Sequence, residues 1–308
     1  MDVRQLQYFL AVVDEGSVSA AAERLYVAQP SVSQSIRRLE RELRADLFHR
    51  TGRRLSLTVA GESLIVPARQ VLRWLGLARA HVDAVQGLRA GRLVIATMPS
   101  QAVDPLPAMI NRFIDRHPMV QVSIRAAGTP PEVVNLVRSG GVEVGIAAAT
   151  DAIDADGLAV HPVAEQRFIV VSSHEAQLPT RGPLTYEQLE GQRLIVGQPG
   201  TGMRQVADEV LARTRSAVAV VESEHREAIL PMVLSGLGTA VISEAWRSVA
   251  RESGLIVHDL ECDVRLEVAV LHHPDGLSPA ARAFVLAATE PQWERLGLTA
   301  GPASRRPR

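Results

Sequence analysis

The stretch Gln29-Pro30-Ser31-Val32-Ser33-Gln34-Ser35-Ile36-Arg37-Arg38-Leu39-Glu40-Arg41-Glu42-Leu43 decides how the first part of the chain is read. Val32, Ile36, Leu39 and Leu43 recur at helical spacing and make one inner face. The opposite side opens on Gln29, Ser31, Ser33, Gln34 and Ser35 and continues with Arg37 and Arg38. Pro30 suits a first helical turn, where its missing N–H costs little. Short polar side chains at a helix start can approach base edges. Gln pairs with adenine through two hydrogen bonds, and Ser serves as donor or acceptor. Arginines one turn on reach phosphates. A solvated face on an ordinary three-helix bundle has the same composition, so the flanking sequence decides between the two.

Upstream, Leu6, Phe9, Leu10 and Val13 mark a first helix, which Gly16 breaks. Ser17 caps a second, whose inner face is Val18, Ala21, Ala22 and Leu25. Tyr26, Val27 and Ala28 form a short turn, and the small Ala20-Ala21-Ala22 run lets two helices cross closely, as a helix-turn-helix requires. Downstream, Leu55 and Leu57 alternate with polar residues and Gly52 sits between two basic runs, which predicts a small hairpin, or wing, with arginine at its tip. From Arg37 to Arg54 there are seven arginines (Arg37, Arg38, Arg41, Arg44, Arg50, Arg53, Arg54) against three acids (Glu40, Glu42, Asp46). That is a local excess of four positive charges in a chain of net charge −1, the electrostatic footprint of a polyanion-binding surface.

Thr58 then caps a long helix. Leu64, Ala68, Val71, Leu75, Ala78, Val82 and Val85 step alternately by four and three, an apolar seam that needs a partner in water. The candidate dimerisation residues are Leu64, Val71, Leu75, Val82 and Val85. A two-fold dimer carries two reading heads, matching a dyad-symmetric site on double-stranded DNA. Packing of the seam on the chain's own second domain is the rival reading. Pro67 inside this helix should kink it or cost about 3 kcal/mol.

With 308 residues, 46% of them hydrophobic, the chain can build two domains. A single cysteine, Cys262, leaves no disulfide within the chain and no CxxC pair. The start of the chain lacks an apolar signal core, and no run of about 18 apolar residues occurs, so a cytoplasmic protein without a membrane partner is expected.

The residues quoted above resemble the LysR-type family of bacterial transcriptional regulators. The likeness runs through Leu6-Gln7-Tyr8-Phe9, Gly16-Ser17, Ala20-Ala21-Ala22, Leu25, Gln29 to Ile36, Leu39-Glu40, Leu47-Phe48, Arg50, Arg54, Leu57-Thr58 and Ala60-Gly61. It implies a homodimer or homotetramer on interrupted promoter dyads, with RNA polymerase as a further partner. It also implies an α/β effector domain, two-lobed and periplasmic-binding-protein-like (type 2), behind an N-terminal all-α winged helix-turn-helix. By the same likeness Gln29, Pro30, Ser31, Ser33 and Gln34 face the major groove, and Arg53 or Arg54 enters the minor groove from the wing. Ser17, Arg37, Arg38 and Arg50 complete the candidate DNA-binding set. Gln34 stands where many members carry arginine, a departure from the family pattern.

From Arg92 the pattern alternates strands and helices, the mark of a mainly parallel sheet. Leu93 to Thr97 is a strand, Met98 to Gln101 a loop, and a helix runs to about Arg116. Val120, Val122 and Ile124 mark a second strand. Thr129-Pro130-Pro131-Glu132 reads as a capping box opening a helix that ends at Gly140-Gly141, and Val142 to Ala147 forms a strand. Strands at Phe168 to Val171, Leu194 to Val196, Val218 to Val221 and Thr239 to Ile242 define a second lobe, and Leu266 to Leu271 returns to the first. The expected division is 1–58 for the DNA-binding domain, 59–89 for the linker helix and 90–295 for the effector domain. Lobe I takes about 90–162 and 266–295, lobe II about 163–265, with crossovers near Pro162 and Cys262 to Arg265. Residues 296–308 are expected to form a tail without regular structure.

Ligands in such folds sit beyond the carboxyl ends of strands, where helix N-termini expose free N–H groups. Ser100, Gln101, Thr129, Thr201, Gly202 and Met203 follow strand ends and are the candidate effector-binding residues. Plain helix capping explains each of them separately. In the family the matching loops hold the effector, often an organic acid. Arg204 adds either a charge for it or a surface ion pair. The sequence holds no GxSxG, GxxxxGK[ST] or HExxH motif, and the adjacent pair His272-His273 points to opposite strand faces, so neither catalysis, a cofactor nor a metal is expected. A small-molecule-controlled regulator thus stands against an effector-independent regulator with a degenerate cleft. A free solute-binding protein or an enzyme explains only part of the chain.

Overall fold

The computed structural model describes residues 1–49, 55–85, 91–174, 176, 178–179 and 182–289. Arg50, Arg53 and Arg54, expected at the wing, and the tail 296–308 lie outside the described residues. The chain divides into an N-terminal and a C-terminal unit.

The N-terminal unit consists of α1 (Val3–Glu15), α2 (Val18–Arg24), α3 (Gln29–Leu43), β1 (Phe48–His49), β2 (Ser56–Leu57) and α4 (Val59–Val85). Local chemistry sets these boundaries. Asp2 and Gln5 form a reciprocal capping box on α1, whose end is turned by Gly16 at φ +68°. The Ser17 hydroxyl accepts the Ala20 N–H at 3.1 Å and starts α2. Leu6, Phe9, Ala21, Val32, Leu39 and Leu47 are buried to within 2%. Leu43, expected on the inner face of α3, is 38% exposed. The helix ends there, with Arg44 in the left-handed region, and Glu40 closes the inner face instead. Its buried carboxylate accepts the Leu47 N–H at 3.0 Å and anchors the entry to the wing. β1 and β2 pair antiparallel, Phe48 opposite Leu57. Thr58 Oγ1 then accepts the Gly61 N–H at 3.0 Å, and α4 runs on through Pro67.

The C-terminal unit opens with β3 (Gly91–Thr97), α5 (Pro99–Val103), α6 (Leu106–Arg116), β4 (Val120–Ala126), α7 (Pro130–Arg138), β5 (Val144–Ala149) and β6 (Ala159–Gln166). It continues with β7 (Phe168–Ser172), β8 (Arg193–Gly197), α8 (Gly202–Arg213), β9 (Val218–Ser223), α9 (Ile229–Leu234), β10 (Thr239–Ser243), α10 (Arg247–Glu252) and β11 (Ile256–Asp259). β12 (Leu266–His272) and α11 (Pro279–Thr289) complete it. The strands form two sheets of the same plan, ordered β4-β3-β5-β12-β6 and β11-β7-β10-β8-β9. In each, three neighbouring strands run parallel, β4-β3-β5 and β9-β8-β10, and the remaining pairings are antiparallel. The sheets are therefore mixed where the alternation suggested mainly parallel ones; the β6–β7 and β11–β12 links, which pass between the sheets, hold no crossover helix.

Four boundaries differ from the sequence expectation. β6 stays in the first sheet, paired with β12, so the first crossover is at Arg167 and not near Pro162. Pro162 sits in β6 where the register shifts opposite Val268 and Ala269, a place where a strand tolerates a residue without an N–H. Ser100 and Gln101 belong to the short helix α5, not to a loop, and α6 starts only after Pro105. α7 stops at Arg138, before Gly140-Gly141, and β5 begins at Val144. β6 and β11 were not anticipated as strands. β11 has only two apolar residues, Ile256 and Val257, before His258 and Asp259, too short a run to stand out.

Candidate functional site

On the N-terminal unit, Gln29, Pro30, Ser31, Gln34, Arg37 and Arg38 are exposed along one side of α3, while Ser33 is half-buried. The inner side holds Val32, Ile36 and Leu39. The polar side is thus free to meet a partner, and its first turn carries no side-chain cap. Arg38 Nε bonds Glu42 at 3.1 Å and Arg41 Nε the Arg37 carbonyl at 3.3 Å, which orients the following turn. Ser17 spends its acceptor on the α2 cap. Tyr26, in the turn before α3, is 96% exposed at φ +53°. This conspicuous group carried no periodic signal, because turns have no face.

The apolar seam of α4 divides. Ala68 is buried in the head core, and Leu64 packs against it half-buried. Val71 and Val82 are 44% and 56% exposed, with Trp74 at 48%. Leu75 is half-buried, and the side chain of Val85 lies outside the described ones.

In the C-terminal unit the candidate effector residues fall into separate places. Ser100 and Gln101 are buried on α5 in a hydrogen-bonded network that joins the lobes. Trp246 Nε1 donates to Ser100 Oγ at 3.0 Å, and Gln101 Nε2 donates to Gln166 Oε1 at 3.2 Å. The same Gln166 oxygen accepts the Ser243 hydroxyl at 2.8 Å, while Gln166 Nε2 donates to the Asp104 carbonyl at 2.9 Å. Gln166 is the last residue of β6, so the network sits on the first crossover. Burial, together with the charge of Glu244, pushes the Asp104 carboxyl above its usual range, against the opposing hydrogen bond from Gln166.

Thr201 and Gly202 line a cavity of about 770 Å³ between α7, the segment after β5 and the start of α8. Ser100, Gln101, Thr129 and Met203 are not among its lining residues. The Thr201 hydroxyl is occupied, donating to the Gln198 carbonyl at 2.8 Å and accepting the Arg204 N–H at 3.4 Å. A Cβ on Gly202 would lie 2.7 Å from Leu266 Cδ2 and 2.9 Å from Thr150 Cγ2, so a side chain there would require both to shift. Met203 points into the core of the second lobe, 3% exposed. Thr129 precedes α7 half-buried, and Glu132 accepts the Gly128 N–H at 2.8 Å, one residue earlier than the anticipated capping box. Arg204 pairs with Asp208 at 2.8 Å and with Glu222. Its charge is neutralised there, and Asp151, Asp154 and Glu209 leave the cavity acidic.

His272 stacks on His161, the rings 5.0 Å apart, with the two Nε2 atoms at 3.0 Å. Among the described residues no group of three or more His, Cys, Asp or Glu could hold a metal ion. No described helix is long and apolar enough to cross a membrane.

Residues 3–62 match the family described as bacterial regulatory helix-turn-helix protein, lysR family, and residues 86–291 match the LysR substrate binding domain. The chain belongs to the LysR family. It is a DNA-binding transcriptional regulator with a substrate-binding domain. Among curated relatives of this LysR regulator, the HTH-type transcriptional regulator TfdS of Cupriavidus pinatubonensis is 28% identical, over 92% of this chain and 97% of its own. A probable RuBisCO transcriptional regulator of a Nostoc species is 30% identical, over 91% and 85%. Both are named as regulators, not enzymes. Among solved structures, CbnR, a LysR family transcriptional regulator, superposes with TM-score 0.71 at 20% identity, covering 97% of this chain and all of that one. Full-length OxyR from Pseudomonas aeruginosa gives 0.68 at 23%, covering 94% and 93%. These two show the shared fold.

The residues that sequence reasoning missed in the LysR regulator are Asp104, Gln166, Ser243 and Trp246. They come from three distant segments, Ser243 and Trp246 sharing one, and meet only because two sheets share a crossover. The one local hint was Gln166 itself, a lone amide between apolar runs at a strand end.

Proposed function

We propose that the regulator is controlled by a small molecule held between the lobes of its C-terminal unit. In this reading residues 1–58 read double-stranded promoter DNA, 59–89 couple two heads, and 90–295 sense the effector. The observation that carries it is the Gln101–Gln166–Ser243 network. It ties α5 of one lobe to the end of β10 in the other through the crossover, so a ligand that rearranges these bonds changes lobe closure. Such a ligand acts only if it binds the two closures with different affinity. The bare Val71 and Val82 on α4 support self-association into a homodimer or homotetramer. The structure of full-length CbnR in complex with its target DNA supports α3 as the reading helix by analogy. Contact with RNA polymerase belongs to the same proposal and is read by in vitro transcription.

The test is fluorescence anisotropy of the full chain on its own upstream DNA and on scrambled DNA, across salt and with candidate effectors. Salt-sensitive binding that keeps its preference for the upstream fragment and shifts with a small molecule is expected. Gln29→Ala should lose specific binding more than nonspecific binding. Equal losses on both DNAs would remove α3 from the recognition role. One observation favours an effector-independent regulator. The hydroxyls of Ser100 and Thr201 are already engaged within the protein. Promoter binding that ignores every compound, with no thermal stabilisation by any, establishes that second reading.

A further inference from the structure

Arg226 opens a short turn, Arg226–Ala228, that follows β9 in the second lobe and packs against α5 of the first. It is 6% exposed, and neither its Nε nor its Nη2 has a hydrogen-bond partner. Among the described residues no carboxylate pairs with it. Other arginines of the unit are answered by carboxylates, Arg204 by Asp208 and Glu222 and Arg247 by Asp259. A buried guanidinium left unpaired is costly, because water is removed from the charge and nothing replaces it. Burial accordingly pushes Arg226 below its ordinary value, with no opposing charge. On the facing helix, Gln101 is 1% exposed, and its Oε1 also lacks a partner. Buried polar atoms without partners are few in folded proteins, and two on elements that face each other across the lobes mark a place where an absent group completes the bonding.

We propose that Arg226 is the anion-pairing residue of the interlobe site, taking the carboxylate of a small organic acid against α5. The assignment rests on the reading of the C-terminal unit as effector-controlled, and it names the ligand class. It also moves the anion away from the Thr201 cavity, where Arg204 is already neutralised and the remaining charges are acidic. A guanidinium and a carboxylate form two parallel hydrogen bonds, and sulfate tests whether a tetrahedral oxyanion is taken as well.

The experiment is thermal unfolding and calorimetric titration of the full chain with acetate, succinate, benzoate, sulfate and neutral succinamide. It compares wild type, Arg226→Met and Arg226→Lys. At least one carboxylate should raise the wild-type Tm, with succinamide and sulfate inert. Arg226→Met should bind that acid roughly ten- to a hundredfold more weakly. Its ligand-free Tm should equal or exceed the wild-type value, because the unpaired charge is gone. Arg226→Lys, which keeps the charge, should recover part of the response and serves if the Met variant does not fold. An equal carboxylate response in wild type and Arg226→Met overturns the proposal, as does no wild-type response to any acid. A sulfate response equal to that of the acids overturns the carboxylate class. Equal stabilisation of wild type and Arg226→Met by succinamide removes Arg226 while leaving the effector reading intact. Promoter binding that is also indifferent to a small-molecule filtrate of cell extract fails the effector reading itself.

Discussion

The Trp246 indole N–H donates to the Ser100 hydroxyl at 3.0 Å, a hydrogen bond from one lobe of the sensing unit to the other. Its two ends are not equivalent. Ser100→Ala leaves the half-buried indole donor without its partner, which costs up to about 1–3 kcal/mol. Trp246→Phe keeps a smaller aromatic ring and frees a hydroxyl that can rotate to another acceptor, a hydrogen-bond loss of about 1 kcal/mol. Chemical denaturation should therefore rank Ser100→Ala as the less stable variant, with DNA affinity unchanged in both. The reverse order would show that the bond contributes little and that ring packing dominates. If Ser100 also serves the effector, Ser100→Ala blunts the dose response beyond anything Trp246→Phe does.

Asp104 makes the same region pH-sensitive. Its carboxyl is raised above the ordinary carboxylate range by burial and by Glu244, with the Gln166 bond opposing. Between the unfolded and the raised folded value the native state binds the extra proton. This contribution to stability is therefore present at acid pH and lost as pH rises through the folded value. Asp104→Asn keeps the shape and removes the titration. The variant should match or exceed wild type at neutral pH and lack this alkaline-going loss. Denaturation curves from pH 4 to 7 with the same slope in both proteins would dismiss Asp104 as its source.

The head was legible in the sequence because its information is local. Each helix of the N-terminal unit carries its own period, and α1 and α2 their own caps, from the Gly16 turn through Ser17 to Val32, Ile36 and Leu39. The strand positions of the C-terminal unit were legible for the same reason, as apolar runs such as Phe168 to Val171. What was not legible depends on pairing across distance. Nothing local distinguishes β6 as a partner of β12 from a strand of the second lobe, so the crossover was placed too early, near Pro162. Ser100 and Gln101 were found by their position after β3. Their partners Gln166, Ser243 and Trp246 and the lone charge of Arg226 carry no period and no motif. Met203 was selected with its loop although its apolar side chain belongs to the core.

Gly61 tests how tightly the wing is seated. A Cβ there would lie 2.2 Å from the Leu47 carbonyl oxygen and 2.8 Å from Leu57 Cδ2. The first contact is with backbone, so a shift must move the strand entry that Glu40 anchors. Gly61→Ala should cost about 3 kcal/mol and lower the Tm of the head, although alanine is the better helix former. An unchanged Tm would mean that α4 starts farther from β1 than described. Loss of DNA binding should follow the loss of folded head and be restored on cooling.

Tyr26 sets strain against function. At φ +53° its backbone lies in the left-handed region, which costs an L residue about 1–2 kcal/mol, and its 96% exposed ring returns no packing energy. Glycine relieves the strain and loses some of the gain to its larger unfolded-state entropy. Tyr26→Gly should therefore stabilise the head by up to about 1 kcal/mol. The turn leads straight into the exposed start of α3, and a strained residue with no structural return is kept most readily for what it touches. DNA affinity should then fall about fivefold while its salt dependence is unchanged, because the lost contact is not ionic. Higher stability with unaltered affinity would leave the tyrosine without a role on DNA. Lower stability would contradict the strain itself and show that the ring packs where the structure leaves it bare.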